Sequence, residues 1–409
     1  MKKIAVVCAL PPERNTGMAT VDLAAYSVIS RIIPDAEVTL YAYGKAGEYG
    51  YQRDELPFDH VDMIHNAETY LASDAYVFWG DFTHSRAYWK LDRGAWDPEK
   101  ARYGVQIMQE SSERLIFMAQ ASDEDLKKAI VFGGTIITNT AADELDTAYA
   151  RTFQSFFSRI GAVFFRDALS AAKVSPLRTM EATLACDCAI LLEDEDLNQF
   201  DGFAQAPGRK GIGVFFGRSP SKLWMMFFSN MVARRMGEDI SWLHWLWTRR
   251  ELRVAARFLG FDIKPHFPQP GEALSALSGY RFIITDTYHL CVNAWRMGIP
   301  AICVGSGAVK SSTSLEDKKK EVLFETYGAR DFYVFHEDLF SIKGFLSSLG
   351  NVVKALNNHA LSDCVCNTIK AHKVMARQRL KRALRNALKI VAQPLVIPFC
   401  FGFIVSAVL

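Results

Sequence analysis

Residues 281–305 read RFIITDTYHLCVNAWRMGIPAICVG and decide the fold class of this chain. An apolar strand ends at Thr285, a helix opens at 286–289 and runs to about Met297, and a second apolar strand follows at 300–304. A glycine and a proline between the helix and the second strand end the helix. A strand, a helix and another strand joined by such short turns are typical of parallel α/β architecture.

The same alternation recurs on both sides of this unit. Apolar runs of strand length, each followed by a helix-like stretch, lie at 3–9, 37–42, 75–79, 129–132, 162–165, 211–216, 281–285, 300–304 and 332–335. A segment with several glycines and prolines, 201–211, divides the runs into two series. The sequence therefore predicts two Rossmann-like domains at 1–200 and 208–345, then closing and basic amphipathic helices at 346–389 and an apolar tail at 390–409.

The composition excludes several classes of protein. Of the 409 residues, 50% are apolar and 22% are charged, so the chain can bury a large core and is not disordered. Its formal net charge of +2 excludes a nucleic-acid binder that relies on bulk positive charge. The apolar run at the start is too short for a secretory signal, which indicates a cytoplasmic protein.

The eight cysteines indicate a reduced protein without a zinc site. Several lie in apolar runs such as IAVVCAL, where a free thiol behaves as a small buried hydrophobe. The two C-x-C pairs, Cys186/Cys188 and Cys364/Cys366, lack the C-x2-C spacing and the nearby histidine pairs of zinc sites. We therefore expect no metal.

Polar residues follow the strands at the edge where doubly wound sheets bind their ligands. Thr287 and Tyr288 open the helix in the deciding stretch, so its free amides and positive end can bind an anion. His289 follows in the first turn and can exchange a proton near neutral pH. The alternative is that Asp286 and Thr287 only cap the helix and that His289 already has its hydrogen-bond partners there.

The stretch GAVFFRDALSAAKVSP, at 161–176, repeats this arrangement in the first half of the chain. Arg166 follows the strand directly and can bind a carboxylate or a phosphate with its two-pronged guanidinium. Asp167 can cap the helix that begins at Ala168. The alternative is an internal ion pair that only holds the loop. Gly134 ends an earlier strand in a similar way.

Two further loops of the first half are weaker candidates. Asn15 and Gly17 follow the first strand in a turn whose amides can face a ligand, but no GxGxxG fingerprint supports a dinucleotide. Gly80 can admit a ligand to the backbone after the strand AYVFW, and Asp81 and His84 can contact sugar hydroxyls. The alternative is that the aromatic residues pack and that His84 lies on the surface.

Taken in order, these segments resemble the polysaccharide pyruvyl transferase family across most of 1–345. The matching stretches are NTGMATVDLAAYSVI, WGDF, FGGTI, FFRDALSA, CDCAILL, ITDTYH and GIPAICVG. CDCAILL resembles the family's Asp-x-Ala strand before the linker, and ITDTYH resembles the segment that carries its leading catalytic histidine. Some members have an arginine two residues before that histidine, where this chain has Thr287.

The resemblance implies two Rossmann-like domains that face a cleft, as in the B-type glycosyltransferases (GT-B). It also implies transfer of the pyruvyl group of phosphoenolpyruvate to a sugar of a surface or exopolysaccharide precursor, as a ketal, without metal or cofactor. By resemblance, His289 is the acid/base, and Arg166 and Asp167 complete the catalytic set. The substrate-binding residues implied are Asn15, Gly17, Gly80, Asp81, Gly134, Thr287, Tyr288, Lys310 and Arg218.

Two other functions remain open at this stage. A GT-B glycosyltransferase would use the same cleft for a nucleotide sugar, and Glu272 or Asp286 would then be its donor-binding acid. A non-catalytic relative would bind a glycan or a partner without chemistry.

The C-terminal segment differs in charge from the rest of the chain. Residues 364–409 contain eight lysines and arginines and no acidic residue, and the last twenty residues, 390–409, are uncharged. A basic helix at 370–389 before an apolar stretch of this length predicts association with the cytoplasmic face of a membrane, where a lipid-linked sugar would be the acceptor. The alternative is that the apolar tail packs back on the first domain.

Overall fold

The chain folds around two separate parallel β-sheets. The structure is a computed structural model, and it describes residues 1–8, 15–42, 56–80, 83–89, 97–139, 147–179, 182–219, 221–246, 248, 250–307 and 314–389. Fold statements below refer to these residues. The predicted Asp81 and Lys310 and the apolar tail at 390–409 lie outside them.

The first sheet has seven strands in the order β3-β2-β1-β4-β5-β6-β7. Its strands are β1 Lys2–Cys8, β2 Ala36–Ala42, β3 His60–Asp62, β4 Ala75–Trp79, β5 Ala129–Gly134, β6 Ala162–Phe165 and β7 Thr183–Leu184. In β1, residues from Ile4 to Cys8 are all buried, as expected for a parallel strand covered by helices on both faces. Val6 lies opposite Leu40 on one side and Val77 on the other.

The described helices of the first half begin close to the carboxyl ends of these strands or connect them. They are α1 Thr16–Ile32, α2 Ala67–Leu71, α3 Arg86–Trp89, α4 Asp97–Tyr103, α5 Val105–Ser111, α6 Asp123–Leu126, α7 Thr147–Arg159 and α8 Ala168–Val174. Asn15 caps α1, because its Oδ1 accepts hydrogen bonds from the amides of Gly17 at 3.1 Å and Met18 at 3.3 Å. This cap fixes where α1 begins at the sheet edge.

The second sheet has five strands in the order β12-β11-β10-β8-β9. Its strands are β8 Ile212–Phe215, β9 Ile240–Trp242, β10 Phe282–Thr285, β11 Ala301–Gly305 and β12 Tyr333–Phe335. The helices that accompany it are α9 Lys222–Met236, α10 Arg250–Arg257, α11 Pro270–Ser278, α12 Tyr288–Arg296, α13 Ser314–Thr326 and α14 Ile342–Asn357. The deciding stretch of the sequence thus forms β10, α12 and β11, as predicted.

The closing helix α15, His359–Ala387, packs on both domains, against β5 of the first and against α12 and α14 of the second. Its leucine stripe is buried, and three of its basic side chains bind groups of the segment at 184–193. Lys373 Nζ lies 2.6 Å from a carboxylate oxygen of Glu193, and Arg377 and Arg379 donate to backbone carbonyls. No helix among the described residues combines the length and the apolar character that crossing a bilayer requires.

The predicted α/β fold class is confirmed, and all nine predicted strands form within two residues of their predicted bounds. The short strands β3, β7 and β9 carry too little apolar sequence to be predicted. The strand expected in CDCAILL is wrong, because Cys188–Leu191 is a 3₁₀ helix. Asp187 accepts a hydrogen bond from the amide of Ala189 at 3.1 Å, and this local cap competes with strand pairing.

Candidate active site between the two domains

The N-termini of α1 and α12 meet where the carboxyl ends of the two sheets face each other. The hydroxyl of Thr16 donates to the carbonyl of Trp245 at 3.4 Å, and Asn293 Nδ2 donates to Thr20 Oγ1 at 3.0 Å. Both contacts join the first domain to the second and are buried. The two domains therefore share one crevice, at the edge where α/β sheets bind ligands.

His289 lies in the first turn of α12 and packs on α1. A Cβ atom built on Gly17 would lie 2.3 Å from the Cβ of His289, so a side chain at position 17 and the histidine cannot occupy these places together. The His289 side chain is 15% exposed, and its Nε2 lies 3.9 Å from Oδ2 of Asp187. Gly17 thus acts here by allowing the close approach of His289.

Asp187 connects His289 to the other domain. Its Oδ2 accepts a hydrogen bond from Arg166 Nη1 at 3.0 Å and is the same oxygen that His289 approaches. The Asp187 side chain is fully buried, and its other oxygen caps the 3₁₀ helix that follows. The sequence analysis did not select this residue, although an aspartate inside the apolar run CDCAILL was a usable signal.

Arg166 reaches the crevice from the end of β6. Its amide donates to the carbonyl of Gly134 at 3.1 Å, which joins two of the predicted positions directly. Its guanidinium carbon lies 4.9 Å from the centre of the Tyr288 ring, a cation–π distance. Burial raises the pKa of Tyr288 well above its usual value, so this ring is a neutral phenol in the folded protein.

Lysines of α13 add positive charge at the same ring. Lys319 Nζ lies 5.3 Å from the ring centre of Tyr288. Lys319 is 8% exposed and Lys320 is 1% exposed, which is rare for lysine. The sequence analysis expected a lysine at Lys310 instead, which lies outside the described residues. A lysine-rich amphipathic segment gives no signal about which of its lysines the fold will bury.

Asp167 holds the loop beside Arg166. Its Oδ1 accepts from the amide of Ser170 at 2.7 Å, so it caps α8 as predicted. Its Oδ2 accepts from the hydroxyls of Thr135 at 2.7 Å and Ser170 at 2.8 Å. Ser170 Oγ in turn accepts from the amide of Ile136 at 2.9 Å. These contacts give Asp167 a positioning role, because they fix the loop after β5.

Asp286 binds a loop of its own domain. Its carboxylate accepts from three consecutive amides, those of Gly217 at 2.8 Å, Arg218 at 2.9 Å and Ser219 at 2.6 Å. Thr287 occupies the N-cap position of α12, but its hydroxyl donates to Asp286 Oδ1 at 3.1 Å and caps no amide of the helix. The first amides of α12 therefore lack a side-chain cap, as an anion site requires.

The remaining predicted positions lie around this crevice with different exposure. Gly80 ends β4 with a φ of +67°, and its amide donates to the carbonyl of Phe132 at 2.8 Å. The backbone of Arg218 is bound by Asp286, as described above, and its side chain is exposed. Glu272 lies at the start of α11, where it closes a capping box with Gln269.

His84 is neither a surface residue nor a sugar contact, and both readings of it are wrong. It is buried, its Nε2 lies 3.1 Å from the carbonyl of Ile116, and its ring stacks on Phe156 with centroids 4.6 Å apart. Burial lowers the pKa of His84 to about 3, so the imidazole is neutral in the folded state. The aromatic residues on neighbouring elements that surround it could not be identified from the local sequence.

Comparison with known families identifies the chain. The profile of the family described as polysaccharide pyruvyl transferase matches residues 27–307. The chain belongs to this family. It is therefore a transferase, and the resemblance derived from the sequence motifs is confirmed. No curated protein matches the chain.

Solved structures share the fold of this polysaccharide pyruvyl transferase family member. A putative UDP-N-acetylglucosamine 2-epimerase from Listeria monocytogenes aligns with a TM-score of 0.56 at 10% identity, covering 96% of this chain and 99% of that one. The S. aureus MnaA–UDP co-structure aligns with a TM-score of 0.54 at 10% identity, covering 96% and 98%. At this identity the similarity shows the fold alone, and it agrees with two Rossmann-like domains that face a cleft.

Proposed function

We propose that this transferase moves the pyruvyl group of phosphoenolpyruvate to two hydroxyls of a sugar, as a ketal, with release of phosphate. The proposal depends on one observation: the buried cations Arg166 and Lys319 flank the Tyr288 ring at the uncapped N-terminus of α12, beside His289. Phosphoenolpyruvate carries both a carboxylate and a phosphate. A donor with two anionic groups suits a site that combines buried cations with free helix amides.

The chemistry of the donor requires an acid at this place. The enol carbon C2 becomes electrophilic only when the methylene carbon C3 receives a proton, and we assign that proton to the His289 imidazolium. A first sugar hydroxyl then bonds to C2 and passes its proton to His289. The bond from C2 to the phosphate oxygen breaks, a second hydroxyl bonds to C2, and the phosphate takes that second proton. General acid–base catalysis of this kind typically contributes about 10²–10⁴-fold in rate.

Asp187 supports both partners of this step. Its carboxylate lies between the guanidinium of Arg166 and the ring of His289, at 3.0 and 3.9 Å. A negative charge there favours the protonated form of the histidine that donates to C3. It also holds Arg166 at the mouth of β6, where the arginine can bind the donor's carboxylate or phosphate. In this proposal Asp187 is a positioning residue.

The threonine at position 287 does not leave the site without the positive charge that the donor needs. By resemblance, some family members carry arginine there, whereas in this chain the buried Lys319 of α13 lies 5.3 Å from the ring centre of the next residue, Tyr288. We propose that this lysine replaces the missing arginine charge. The two carboxylates considered for a nucleotide sugar have other roles, because Asp286 binds three loop amides and Glu272 caps α11.

Phosphate release tests the proposal. The full chain is incubated with phosphoenolpyruvate and a panel of nitrophenyl and lipid-linked sugars, and inorganic phosphate is measured. We expect release that depends on an acceptor, and a loss of at least about 100-fold in kcat for His289→Gln. The exposed Glu272→Gln variant is the control and should keep its rate. Calorimetric binding of a nucleotide sugar, with no binding of phosphoenolpyruvate, would overturn the proposal.

We also propose that the protein binds the cytoplasmic face of a membrane through the segment at 370–409. The acceptor sugar would be carried on a lipid of that membrane. Lys373, Arg377 and Arg379 bind the first domain, so we assign the attraction to the exposed Lys370, Lys381 and Arg382 and to the apolar residues 390–409. The test is flotation with anionic phospholipid vesicles. The full chain should float and a chain ending at Lys389 should not, whereas equal recovery of both in the unbound fraction would refute the idea.

A further inference from the structure

Three side chains of different chemistry meet in the first domain, and none of them is assigned to the transfer reaction. Cys8 ends β1, Asp22 lies on α1 and His60 begins β3. His60 Nε2 lies 3.0 Å from Asp22 Oδ2, and the sulfur, carboxylate and imidazole atoms all lie within 4.8 Å of one another. From this geometry we propose that Cys8, Asp22 and His60 bind a Zn²⁺ ion.

The distances suit a tetrahedral ion. Zinc takes sulfur ligands at about 2.3 Å and nitrogen or oxygen ligands at about 2.0–2.2 Å, so neighbouring ligand atoms lie about 3.3–3.8 Å apart. The three ligand atoms already lie within 4.8 Å of each other, so the most widely separated pair needs to approach by at most about 1–1.5 Å to reach that spacing. His60 Nε2 and Asp22 Oδ2, at 3.0 Å, need to move apart by a few tenths of an ångström. Side-chain rotation supplies such a movement without a change in the fold.

The chemistry of the three ligands selects the metal. On binding, the Cys8 thiol gives its proton to solvent and becomes a thiolate, so the ligands carry one thiolate, one carboxylate and one neutral imidazole. Their two negative charges balance those of a divalent cation in a buried place. Thiolate and imidazole favour zinc over magnesium and calcium, which prefer oxygen ligands. Three protein ligands leave one position for water.

The site would connect three elements of the first sheet. Cys8 is 2% exposed and Asp22 is 1% exposed, so the ion and the one water that it can hold would be enclosed in the first domain. Gly17 lies earlier on the same helix as Asp22 and packs against His289. An ion that ties α1 to β1 and β3 would therefore stiffen the helix that supports the histidine. Without metal, the same trio would be a hydrogen-bonded core cluster.

Metal content and affinity test the site without any activity measurement, so the result does not depend on the proposed transfer reaction. The full chain is stripped with a chelator, reloaded with Zn²⁺ and analysed by elemental analysis and by competition with a chromophoric chelator. We expect one zinc per chain and at least tenfold weaker binding in Cys8→Ala and in His60→Gln. Cys186→Ala, which removes another fully buried thiol of this domain, is the matched control and should bind as the parent does.

A cobalt-substituted sample gives a second measurement. Binding through Cys8 predicts a thiolate-to-cobalt charge-transfer absorption that the Cys8→Ala variant lacks, and a chelator should lower the Tm of the parent protein but not that of folded variants. Circular dichroism establishes whether each variant folds. If Cys8→Ala does not fold, the affinity comparison uses His60→Gln instead. Substoichiometric zinc in the reloaded parent, or equal affinity in the parent and both variants, would overturn the proposal.

Discussion

At the residue scale, one carboxylate organises the candidate site. Asp187 binds Arg166 from the first domain and faces His289 from the second, so two groups that are 123 positions apart in the chain act at one oxygen. Breaking a buried ion pair by removing one partner typically costs about 3–5 kcal/mol, because the remaining charge stays buried. The cations beside it that we propose bind the donor are better targets for a kinetic test than Asp187 itself.

Lys319→Met should weaken donor binding. The substitution keeps the length and the apolar stem of the side chain but removes the charge beside the Tyr288 ring. Since a hydrogen bond to a charged group contributes about 1.5–3 kcal/mol, we expect the KM for phosphoenolpyruvate to rise about 10- to 100-fold. Steady-state phosphate release measures it. Lys343→Met, on an exposed position of α14, is the control, and an unchanged KM in Lys319→Met would remove this lysine from the donor site.

Gly17→Ala should damage catalysis through His289. The added Cβ would lie 2.3 Å from the Cβ of His289, so the histidine or α1 must move. Overpacking of this kind costs about 1–3 kcal/mol in stability, and we expect kcat to fall at least tenfold. Gly350→Ala, also in a helix but with open space around its Cβ, should be neutral or stabilising. Equal kinetics for the two variants would contradict the role given to Gly17.

At the element scale, short polar contacts fix the loops that follow the strands. Asp286 holds the loop after β8, and Asp167 holds the loop after β5 and caps α8. These carboxylates take backbone amides and hydroxyls as partners, so they shape the site without contacting the donor in our proposal. Aromatic packing likewise fixes the loop that contains His84, because the His84 ring stacks on Phe156 of α7.

The buried His84 makes stability depend on pH. Its pKa in the folded protein is lowered to about 3, whereas an unfolded chain protonates histidine below about 6.5. As pH falls below that value, the unfolded state binds a proton that the folded state excludes, so the free energy of unfolding falls with pH. Between pH 7.5 and pH 5, His84 alone lowers the free energy of unfolding by about 2 kcal/mol.

Urea denaturation at several pH values checks this dependence. At pH 7.5 the His84→Phe variant should be less stable than the parent, because the hydrogen bond to Ile116 disappears. Between pH 7.5 and pH 5, however, its free energy of unfolding should fall by about 2 kcal/mol less than that of the parent. His359→Gln, which removes an exposed histidine, should follow the parent curve. If His84→Phe also follows the parent curve, then His84 is protonated in the folded state and its assigned environment is wrong.

At the scale of the whole molecule, buried polar contacts between α1 and α12 help to hold the two domains together, beside a hydrophobic core that contains residues of both. Asn293 on α12 donates to Thr20 on α1, and Thr20 donates to the carbonyl of Gly17 at 2.8 Å. Arg296 of the second domain also lies 3.1 Å from Asp194 in the first. Because α1 carries Gly17 and α12 carries His289, this interface sets the width of the crevice.

Thr20→Val tests the interface with a side chain of nearly the same shape. The substitution removes the Thr20 hydroxyl that accepts a hydrogen bond from Asn293 Nδ2, and the buried amide group of Asn293 loses that partner. We therefore expect a loss of about 1–3 kcal/mol in the free energy of unfolding. Thr368→Val on α15 removes a hydroxyl that bonds only within its own helix and is the matched control. Chemical denaturation measures both, and losses of equal size would argue against a special role for the interface.

The sequence by itself determined the fold class and the strand positions. Apolar runs between polar turns require burial wherever they lie, so the strand–helix–strand pattern at 281–305 could be read directly. The cap at Asp167 depends only on the next few residues and was predicted for the same reason. At Asn15 the expected turn with ligand-facing amides is instead a helix cap, because the amides of Gly17 and Met18 donate to the Asn15 side chain. The motifs around Arg166 and His289 also placed the chain in its family before any coordinate was considered.

Only the tertiary structure decided which side chains meet. The lysines of α13, the buried environment of His84 and the trio Cys8, Asp22 and His60 gave no local signal, and the metal proposal departs from the expectation based on cysteine spacing. Each of these groups acts through partners on other elements, and their mutual distance is set by how helices pack on the two sheets. Burial and electrostatic interactions depend on that distance in space, whereas a local sequence pattern records only separation along the chain.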